Sequence, residues 1–263
     1  MNAGSGRTLT PSEYNPAELL ICTAARLMSD NSTAIIGTGI PMLAASLAQR
    51  MHAPNLVTFF EFGGIGAILH ELPLAVGGEC TFNQAVAAAG LSEIGETAQR
   101  GFIEYGFLGG AQIDVYGNLN STLIGDYAHP KARLPGSGGG NDFGSLCWRT
   151  IAIMRHDRKR FVTKPDFITT PGYLDGPGRR EAVGLPAGSG PYRVVSNLGL
   201  MGFHPESKRM TLLATQPGVT VEQVLENTDF ELLLADTIAA NPPPSAQELR
   251  ILREEVDRNR LYI

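Results

Sequence analysis

Hydrophobic positions near the start of the chain follow helix spacing and strand spacing in turn. Apolar residues at helical spacing follow the capping pair Asn15-Pro16 and predict a helix, and the β-branched run 33–36 predicts a short strand. A glycine turn then leads into a second predicted helix at 42–51, and the apolar run 56–61 predicts the next strand. Because strands that alternate with helices pair in parallel, this order predicts a parallel sheet with helices on its faces.

The same patterns continue through the rest of the chain. Apolar runs of strand length predict further strands at 107–115, 119–122, 150–154, 161–170, 192–196, 199–203 and 210–215. Capped or amphipathic runs predict further helices at 84–89, 92–99, 220–227 and 245–256. We therefore predict an α/β fold: an open, mostly parallel sheet flanked by helices, with an antiparallel C-terminal portion. It forms one domain over 15–263 behind a flexible tail at 1–14.

Composition and charge exclude several classes of function. The chain has 263 residues, of which 43% are apolar and 18% charged, as in a folded globular domain. Its net charge of −5 leaves no basic face for nucleic acid, and no apolar run reaches the roughly 18 residues of a membrane span. Cys22, Cys80 and Cys147 are too isolated for a disulfide framework or a metal site. We expect a cytoplasmic protein that binds neither nucleic acid nor membrane.

Glu61 is the most unusual residue in this pattern. It follows an apolar strand, stands between Phe60 and Phe62, and precedes the glycine turn Gly63-Gly64. No basic residue lies within several positions along the chain, so burial of this carboxylate would cost solvation free energy without a local counter-charge. We interpret Glu61 as a candidate functional carboxylate at the end of a strand.

Two further glycine-rich turns offer backbone N–H groups to an anion. Gly37-Thr38-Gly39 joins a predicted strand to a helix, where it forms either an anion or thioester-oxygen site or a tight connection without a ligand. The run 136–140 contains four glycines in five positions, a composition incompatible with the interior of a helix or strand. It lacks the Gly-Lys-Ser/Thr ending of a phosphate loop, which disfavours nucleoside triphosphate hydrolysis and leaves donation to an oxyanion as an alternative.

Other catalytic signatures are missing from the sequence. No Gly-x-Ser-x-Gly elbow follows a strand, and Gly37-Thr38-Gly39 lacks the third glycine of a dinucleotide fingerprint. The five histidines share no ligand spacing, so we expect no metal. His129 either orients a substrate carboxylate or belongs to a capped loop. One carboxylate with several glycine turns favours acyl chemistry on a substrate that brings its own leaving group.

An ordered set of motifs resembles a known family over nearly the whole length. The motifs are Gly37-Thr38-Gly39-Ile40-Pro41, Glu61 with Gly63, Gly109-Gly110-Ala111-Gln112-Ile113-Asp114, Asn120-Ser121-Thr122, Gly136-Ser137-Gly138-Gly139 and Asp175-Gly176-Pro177-Gly178. On these residues the chain resembles the class I CoA-transferases, and within them the β subunit of the glutaconate CoA-transferase type. The resemblance implies the sheet fold that CoA-transferases share with sugar-phosphate isomerases.

The resemblance also implies a reaction and a partner. Glu61 would be the nucleophile that carries a glutamyl-CoA thioester while CoA moves between an acyl-CoA and a carboxylic acid, for which we expect a dicarboxylic acid. Coenzyme A would be a substrate, with no tightly bound cofactor, and a separately encoded α subunit would complete the enzyme. Candidate substrate or oxyanion contacts are Gly63, Gly64, Asn118, Asn120, His129, Gly138, Gly139 and Gly140.

The chain departs from the glutaconate-type pattern directly after the nucleophile. A small polar residue there is replaced by bulky Phe62, so we interpret Phe60 and Phe62 as pocket-shaping residues that favour a different or more apolar acyl group. One alternative on the same fold is a CoA-thioester decarboxylase or C–C ring-opening hydrolase that uses Glu61 as an acid or base. Another is a non-catalytic assembly or binding subunit. Retention of Glu61 favours the transferase.

Overall fold

The computed structural model describes residues 13–263, and a sheet of ten strands runs through it. In chain order the strands are β1 (Thr33–Ile35), β2 (Val57–Phe59), β3 (Gly64–Ile65), β4 (Ala87–Ala88), β5 (Tyr105–Leu108), β6 (Gln112–Ile113), β7 (Leu119–Asn120), β8 (Leu123–Gly125), β9 (Pro130–Arg133), β10 (Arg149–Ile153), β11 (Gly190–Val195), β12 (Gly199–Phe203), β13 (Met210–Thr215) and β14 (Leu233–Ala240). The pairs β6-β7 and β8-β9 form two small separate sheets.

Seven α-helices lie within residues 13–263. In chain order they are α1 (Pro16–Ala25), α2 (Ile40–Met51), α3 (Leu91–Gln99), α4 (Gly140–Leu146), α5 (Arg179–Ala182), α6 (Val221–Glu226) and α7 (Ala246–Ile251). A 3-10 turn covers Glu79–Phe82, and α7 continues into one turn of π-helix, Leu252–Val256. No helix in this part of the chain combines the length and apolar character needed to cross a membrane.

The centre of the large sheet is parallel. Its order is β14-β13-β12-β11-β10-β5-β1-β2-β3-β4. β1 pairs in parallel with β2 and β5, and β10 does so with β5 and β11. Antiparallel pairs lie on both sides, β2-β3-β4 at one edge and β11-β12-β13 towards the other, and β14 returns parallel to β13. The predicted mostly parallel sheet with an antiparallel C-terminal portion is therefore confirmed.

Successive residues of β1 show that both faces of the sheet are covered. Ala34 packs in a core with α1 and α2, whereas Ile35 packs in another core with residues of α3 and α4. Neighbouring side chains of a strand point to opposite faces, so helices flank the sheet on both sides. The predicted start of α1 is also confirmed: Asn15 Oδ1 accepts the Glu18 N–H (2.9 Å), and Glu18 Oε2 accepts the Asn15 N–H (2.8 Å).

Two predicted strands are wrong in extent. The run 107–115 is interrupted after Leu108, because the chain turns at Gly109-Gly110 before β6 begins. The run 161–170 makes only isolated bridges, at Phe161 and Thr170. Pro165 lies in its middle and has no N–H to donate to a ladder, so this segment cannot continue as a strand.

A predicted helix and an unpredicted strand are further differences. The helix at 84–89 is wrong, because Gln84 adopts a left-handed backbone (φ 50°) and Ala87–Ala88 pairs with β3. β14 was not predicted, because its sequence lacks the alternation of a half-buried strand and much of it is exposed. Residues 1–12 of the predicted tail, 1–14, lie outside the residues that the structure describes.

Candidate active site

Three adjacent parallel strands bring the predicted motifs to one edge of the sheet. β1 lies between β2 and β5, and all three run in the same direction. Their carboxyl ends, Ile35, Phe59 and Leu108, therefore meet at one edge, and the segments that follow carry Gly37 and Glu61. Ligands of open α/β sheets bind in the crevice outside the carboxyl ends of such strands. The order of elements thus places Glu61 where a substrate can reach it.

A cavity of about 250 Å³ opens at this edge. Its apolar walls come from the strand ends and two neighbouring segments: Ile35, Ile36, Val76, Phe107, Leu108 and Phe143. Its polar lining comes from glycine turns, three hydroxyl side chains and one carboxylate: Gly37, Glu61, Gly109, Ser121, Gly136, Ser137, Gly138, Gly139, Gly140 and Thr170. Glu61 is the only charged residue in this lining. The cavity therefore combines apolar walls with one carboxylate.

Glu61 lies at the tip of a tight reversal between β2 and β3. The Phe60 N–H donates to Gly64 O (2.8 Å) and the Gly63 N–H donates to Phe60 O (2.9 Å), so the chain folds back around Glu61. Gly63 has φ 115°, and a Cβ there would lie 1.8 Å from Ala89 O. Glu61 is half-buried, and its carboxylate forms no hydrogen bond or ion pair with any residue in 13–263. The Glu61 carboxylate therefore lies in the cavity lining without a protein partner among the described residues.

The run 136–140, called the glycine loop below, lies directly against Glu61. A methyl group at Gly139 would lie 2.9 Å from Glu61 Oε1 and 2.2 Å from Phe143 Cε2, so only glycine fits at this position. Within residues 13–263 the N–H groups of Gly138 and Gly139 have no hydrogen-bond acceptor. Unpaired backbone donors beside a carboxylate that attacks a carbonyl can stabilise the oxyanion that forms.

Both ends of the glycine loop are tied down. Ser121 makes two bonds with Gly136, since its carbonyl accepts the Gly136 N–H (2.8 Å) and its hydroxyl donates to Gly136 O (2.8 Å). At the other end the Thr170 hydroxyl donates to Gly140 O (3.0 Å), and Asn141 Nδ2 donates to Thr169 O (3.0 Å). These bonds fix the loop ends and leave the N–H groups of Gly138 and Gly139, which line the cavity, without acceptors. Ser121 and Thr170 were not among the predicted site residues, although Ser121 belongs to a recognised motif.

Asn118 and Asn120 do not line the cavity. Asn118 Nδ2 donates to Asp114 Oδ2 (2.7 Å) and Leu174 O (2.9 Å). Asn120 Nδ2 donates to Gln112 Oε1 (2.7 Å) and to the Leu123 carbonyl (2.7 Å). Both side chains are buried and their amide donors are occupied, so the structure gives them a supporting place in the β6-β7 hairpin. Burial raises the pKa of the neighbouring Asp114 carboxyl, while bonds from Asn118 and Tyr116 oppose that rise.

His129 and Gly64 also lie away from the cavity lining. The His129 side chain is 93% exposed, and its Nδ1 lies 3.7 Å from Asp126 Oδ1. That oxygen also accepts the backbone N–H groups of Ala128 (2.9 Å) and His129 (3.0 Å), so the structure supports the capped-loop alternative. A Cβ at Gly64 would lie 1.9 Å from Thr81 O, which shows that this glycine serves close packing in the β3 region.

Neither of the two phenylalanines beside Glu61 lines the cavity. Phe60 is fully buried in the core with α1 and α2. Phe62 is 52% exposed and its ring lies over Gly77, where a Cβ would be 3.2 Å from Phe62 Cγ. The walls come instead from residues such as Phe107, Leu108 and Phe143. The sequence did carry a signal for Phe107 and Leu108, because both belong to a predicted strand, which the structure places beside β1 as β5.

No cysteine is among the residues that line the cavity. Cys147 caps the C-terminus of α4, and burial raises the pKa of its thiol to about 12. Since the thiolate is the nucleophilic form, this thiol is unreactive at neutral pH. No group of three His, Cys, Asp or Glu side chains within residues 13–263 is arranged to hold a metal ion.

Comparison with known proteins agrees with this geometry. The chain is 38% identical over 257 residues to the B subunit of the glutaconate CoA-transferase of Acidaminococcus fermentans, covering 95% of each chain. It superimposes on the crystal structure of that enzyme with a TM-score of 0.91 and 36% identity, covering 96% of this chain and 98% of the other. It is also 36% identical over 243 residues to the B subunit of the 3-oxoadipate CoA-transferase of Pseudomonas knackmussii, covering 92% and 93% of the two chains.

A more distant relative has a different activity in its name. The chain is 26% identical over 222 residues to the cholesterol ring-cleaving hydrolase IpdB subunit of Rhodococcus jostii, covering 83% and 82% of the two chains. The sequence profile described as Coenzyme A transferase matches residues 18–227, which include Glu61, the glycine loop and the strands that hold them. The chain belongs to the coenzyme A transferase family.

Proposed function

We propose that this chain is the catalytic β subunit of a CoA-transferase that moves CoA between an acyl-CoA thioester and a carboxylic acid through a glutamyl-CoA thioester on Glu61. One observation carries the proposal: the Glu61 carboxylate lies against Gly139 of the glycine loop, whose Gly138 and Gly139 N–H groups are unpaired, and it has no partner within residues 13–263. Two relatives that are 38% and 36% identical are B subunits of CoA-transferases, which supports the same chemistry. Glutaconate and 3-oxoadipate are dicarboxylates, and we propose a dicarboxylic acid here too.

The first half of the reaction breaks the incoming thioester. A Glu61 oxygen attacks the thioester carbonyl carbon, and the oxyanion that forms accepts hydrogen bonds from the Gly138 and Gly139 N–H groups. The C–S bond then breaks, which leaves an acyl-glutamyl anhydride and the CoA thiolate. The thiolate attacks the glutamyl carbonyl carbon, so the acyl group departs as a carboxylate and a glutamyl-CoA thioester remains.

The second half runs these steps in reverse with the acceptor acid. Its carboxylate attacks the glutamyl-CoA carbonyl and releases CoA thiolate, and the new anhydride is then attacked by that thiolate at the acceptor's carbonyl carbon. The products are a new acyl-CoA and a free Glu61 carboxylate, so no atom or electron is gained or lost. Each attack passes through a tetrahedral oxyanion, formed on the substrate carbonyl in some steps and on the glutamyl carbonyl in the others, and one donor lost from an oxyanion site typically costs about 3 to 4 kcal/mol of barrier.

The apolar walls of the cavity have a chemical role in this scheme. Val76, Phe107, Leu108 and Phe143 surround the reacting atoms with hydrocarbon. A carboxylate is a poor nucleophile when fully hydrated, and an anhydride or thioester is lost if water reaches it. Walls that limit water therefore favour transfer to the acceptor acid over hydrolysis.

A separately encoded α subunit is the proposed partner. The relatives at 38% and 36% identity are both named as B subunits, and in this chain Glu61 is only half-buried. A second subunit over the open side of the cavity would complete the exclusion of water. CoA is consumed and regenerated as a substrate, so the proposal needs no tightly bound cofactor.

Chemical trapping tests the covalent intermediate directly. The αβ complex is incubated with an acyl-CoA, treated with hydroxylamine or borohydride, digested and analysed by mass spectrometry. We expect a hydroxamate or alcohol on Glu61, because both reagents convert a glutamyl thioester and leave a free carboxylate unchanged. The same treatment without acyl-CoA is the control. Unmodified Glu61 in a complex that transfers CoA would exclude this mechanism.

The hydrolase alternative keeps one specific support, the relative named as a ring-cleaving hydrolase at 26% identity. In that case Glu61 would act as an acid or base, the product would remain a CoA thioester with a cleaved C–C bond, and no CoA would reach an added carboxylate. A decarboxylase would release carbon dioxide. A non-catalytic subunit would leave the CoA thioester unchanged. Labelled CoA thioesters with and without an acceptor acid separate these outcomes in one assay.

A further inference from the structure

Arg180 is a buried arginine in the loop between β10 and β11, on the short helix α5. Only 1% of the residue is exposed. Its Nη1 donates to the carbonyl oxygens of Pro171 (2.9 Å) and Gly172 (2.8 Å). Its Nη2 donates to the carbonyls of Gly144 (3.1 Å) and Ser145 (3.2 Å), and to Ser189 Oγ (3.1 Å). The guanidinium therefore joins two separate segments through their backbones.

This charge is buried without an ion pair. Within residues 13–263 no Asp or Glu lies at salt-bridge distance from Arg180, and its Nε has no hydrogen-bond acceptor. Burial lowers the pKa of the guanidinium, with partial compensation from the nearby Tyr173 and Glu181. Removing a charged group from water is costly, and here only hydrogen bonds to neutral groups offset that cost. The five donated bonds indicate that the arginine serves the geometry of the two segments.

Both segments support the glycine loop. Gly144 and Ser145 belong to the last turn of α4, whose first residue is Gly140 in the cavity lining. The carbonyls of a last helical turn lack partners in the helix, and Arg180 supplies them. Pro171 and Gly172 follow Thr170, whose hydroxyl holds Gly140 O. Arg180 thus holds α4 at the C-terminal end of that helix. It holds the 170–172 segment at Pro171 and Gly172, next to Thr170, which is bonded to the loop.

The two supports are in direct contact with each other. A Cβ at Gly144 would lie 2.1 Å from Thr170 Cγ2, so no larger residue fits between α4 and the 170–172 segment. On the far side, Asn118 Oδ1 accepts the N–H groups of Gly172 (2.8 Å) and Leu174 (3.1 Å), which fixes this segment to the β6-β7 hairpin. Interiors packed this closely transmit displacements, so a shift of either support moves Gly140 and the loop beside Glu61.

We propose that Arg180 is a positioning residue, which holds α4 and the 170–172 segment together so that the glycine loop, with its unpaired Gly138 and Gly139 N–H groups, stays against Glu61. It touches no reacting atom and acts through the backbone of the glycine loop. The kinetic consequence rests on the proposed transferase function, whereas the anchoring itself is a property of this chain alone. Misplacing catalytic donors by about 1 Å can reduce a rate by about a hundredfold.

Two substitutions at Arg180 and one matched control test the proposal. Arg180→Met keeps a long side chain and removes all five bonds, and Arg180→Lys keeps the charge without the planar fork. Arg193→Met is the control, because burial also lowers the pKa of Arg193, but this arginine donates to the Tyr192 carbonyl and to none of the groups that Arg180 holds. Steady-state kinetics of the αβ complex and hydrogen exchange of the full chain are measured for each variant.

We expect both Arg180 variants to lower kcat by about ten- to a hundredfold while KM for acyl-CoA stays within about twofold, since binding surfaces remain and only donor placement changes. Amide exchange should speed up in peptides that cover 136–146 and remain unchanged in α1 and α2. Arg193→Met should leave kcat and the exchange of 136–146 unchanged. Faster exchange throughout the chain, with kcat lost in proportion to unfolding, would show a merely structural role and overturn the proposal.

The exchange measurement separates this proposal from the proposed function. If the wild-type complex does not transfer CoA, the transferase proposal fails and the exchange of 136–146 still decides whether Arg180 anchors the loop. If Arg180→Met does not fold, Arg180→Lys decides by the same measurements. Ser189→Ala is a milder variant that removes one acceptor of Arg180, and we expect a fall in kcat of about two- to fivefold. Wild-type kcat and wild-type exchange in a folded Arg180 variant contradict the anchoring role.

Discussion

Carboxylates are treated in opposite ways at two regions of the molecule. On the helical face, the chain ends are joined by two arginine pairs: Arg253 Nε to Glu18 Oε1 (2.6 Å) and Arg26 Nη2 to Glu248 Oε2 (2.6 Å). At the carboxyl edge of the sheet, the Glu61 carboxylate has no partner within residues 13–263. The chain thus pairs carboxylates where they hold helices together, whereas the carboxylate that we propose as the nucleophile has no partner at the edge of the sheet.

The largest expected effect comes from the unpaired carboxylate. Glu61→Gln removes the nucleophilic oxygen and keeps the shape of the side chain, so we expect CoA transfer to fall by about 10³-fold or more with the fold intact. CoA exchange in the αβ complex measures the loss of transfer, and thermal unfolding of the variant shows whether the fold is intact. Transfer near the wild-type rate, without deamidation back to glutamate, would contradict the assignment.

A second substitution disturbs the same carboxylate from the opposite side. Gly139→Ala places a methyl group 2.9 Å from Glu61 Oε1 and 2.2 Å from Phe143 Cε2, so the loop must move away from the carboxylate. We expect kcat to fall by about a hundredfold. Gly95→Ala in α3 is the control, because a Cβ there meets nothing within 4 Å. Equal activity of the two variants would show that close approach of the loop to Glu61 is unimportant.

The paired carboxylates should respond in stability instead of rate. Arg253→Met leaves the Glu18 carboxylate, which is 2% exposed, without its counter-charge, and we expect the free energy of unfolding to fall by about 3 kcal/mol. Arg250→Met is the control, because its pairs with Glu254 and Glu255 involve exposed side chains and contribute about 0 to 1 kcal/mol. Urea unfolding measures both. Transfer by folded Arg253→Met should remain unchanged, and a large loss of kcat would remove the contrast between the regions.

The smallest effect is a pH dependence of the paired region. Burial alone would raise the pKa of the Glu248 carboxyl, but hydrogen bonds from Arg26 and Ser245 outweigh it and hold the pKa below its ordinary value of 4.5. The unfolded chain therefore binds the proton more readily, and this contribution to stability, complete above pH 4.5, is lost as pH falls through the lower folded-state pKa. As pH falls below 4.5, the urea concentration at the unfolding midpoint should fall more steeply for wild type than for Glu248→Gln. Parallel profiles would show that the pair does not contribute.

Local signals allowed much of the fold to be predicted from the sequence. The start of α1 follows from Asn15, Pro16 and Glu18, because the capping box is a contact between near neighbours in the chain. The position of Glu61 follows from the strand before it and the glycines after it, and alternation of helices and strands brings that strand end to the edge of a parallel sheet. The reaction class rests on motifs that also lie in short stretches.

Contacts between distant segments could not be predicted in this way. Asn118 and Asn120 were predicted as substrate contacts because they are polar and follow a predicted strand, but their side-chain N–H groups donate to Asp114 and Gln112 instead. Phe62 follows Glu61 in sequence, yet the reversal after β2 turns its ring towards Gly77 and the surface. The bonds from Arg180 to Gly144 and Ser145 span 36 and 35 positions, and nothing in the sequence indicates that this arginine is buried.

The separate origins of the cavity's parts have an evolutionary consequence. Glu61 and the glycine loop come from two segments that backbone hydrogen bonds hold in place, whereas Val76 reaches the cavity from the irregular stretch between β3 and the 3-10 turn. Loops tolerate replacement better than strands do. We therefore expect changes in that stretch to alter which acyl group fits while Glu61 and the glycine loop stay in place, which makes position 76 a natural starting point for redesigning selectivity.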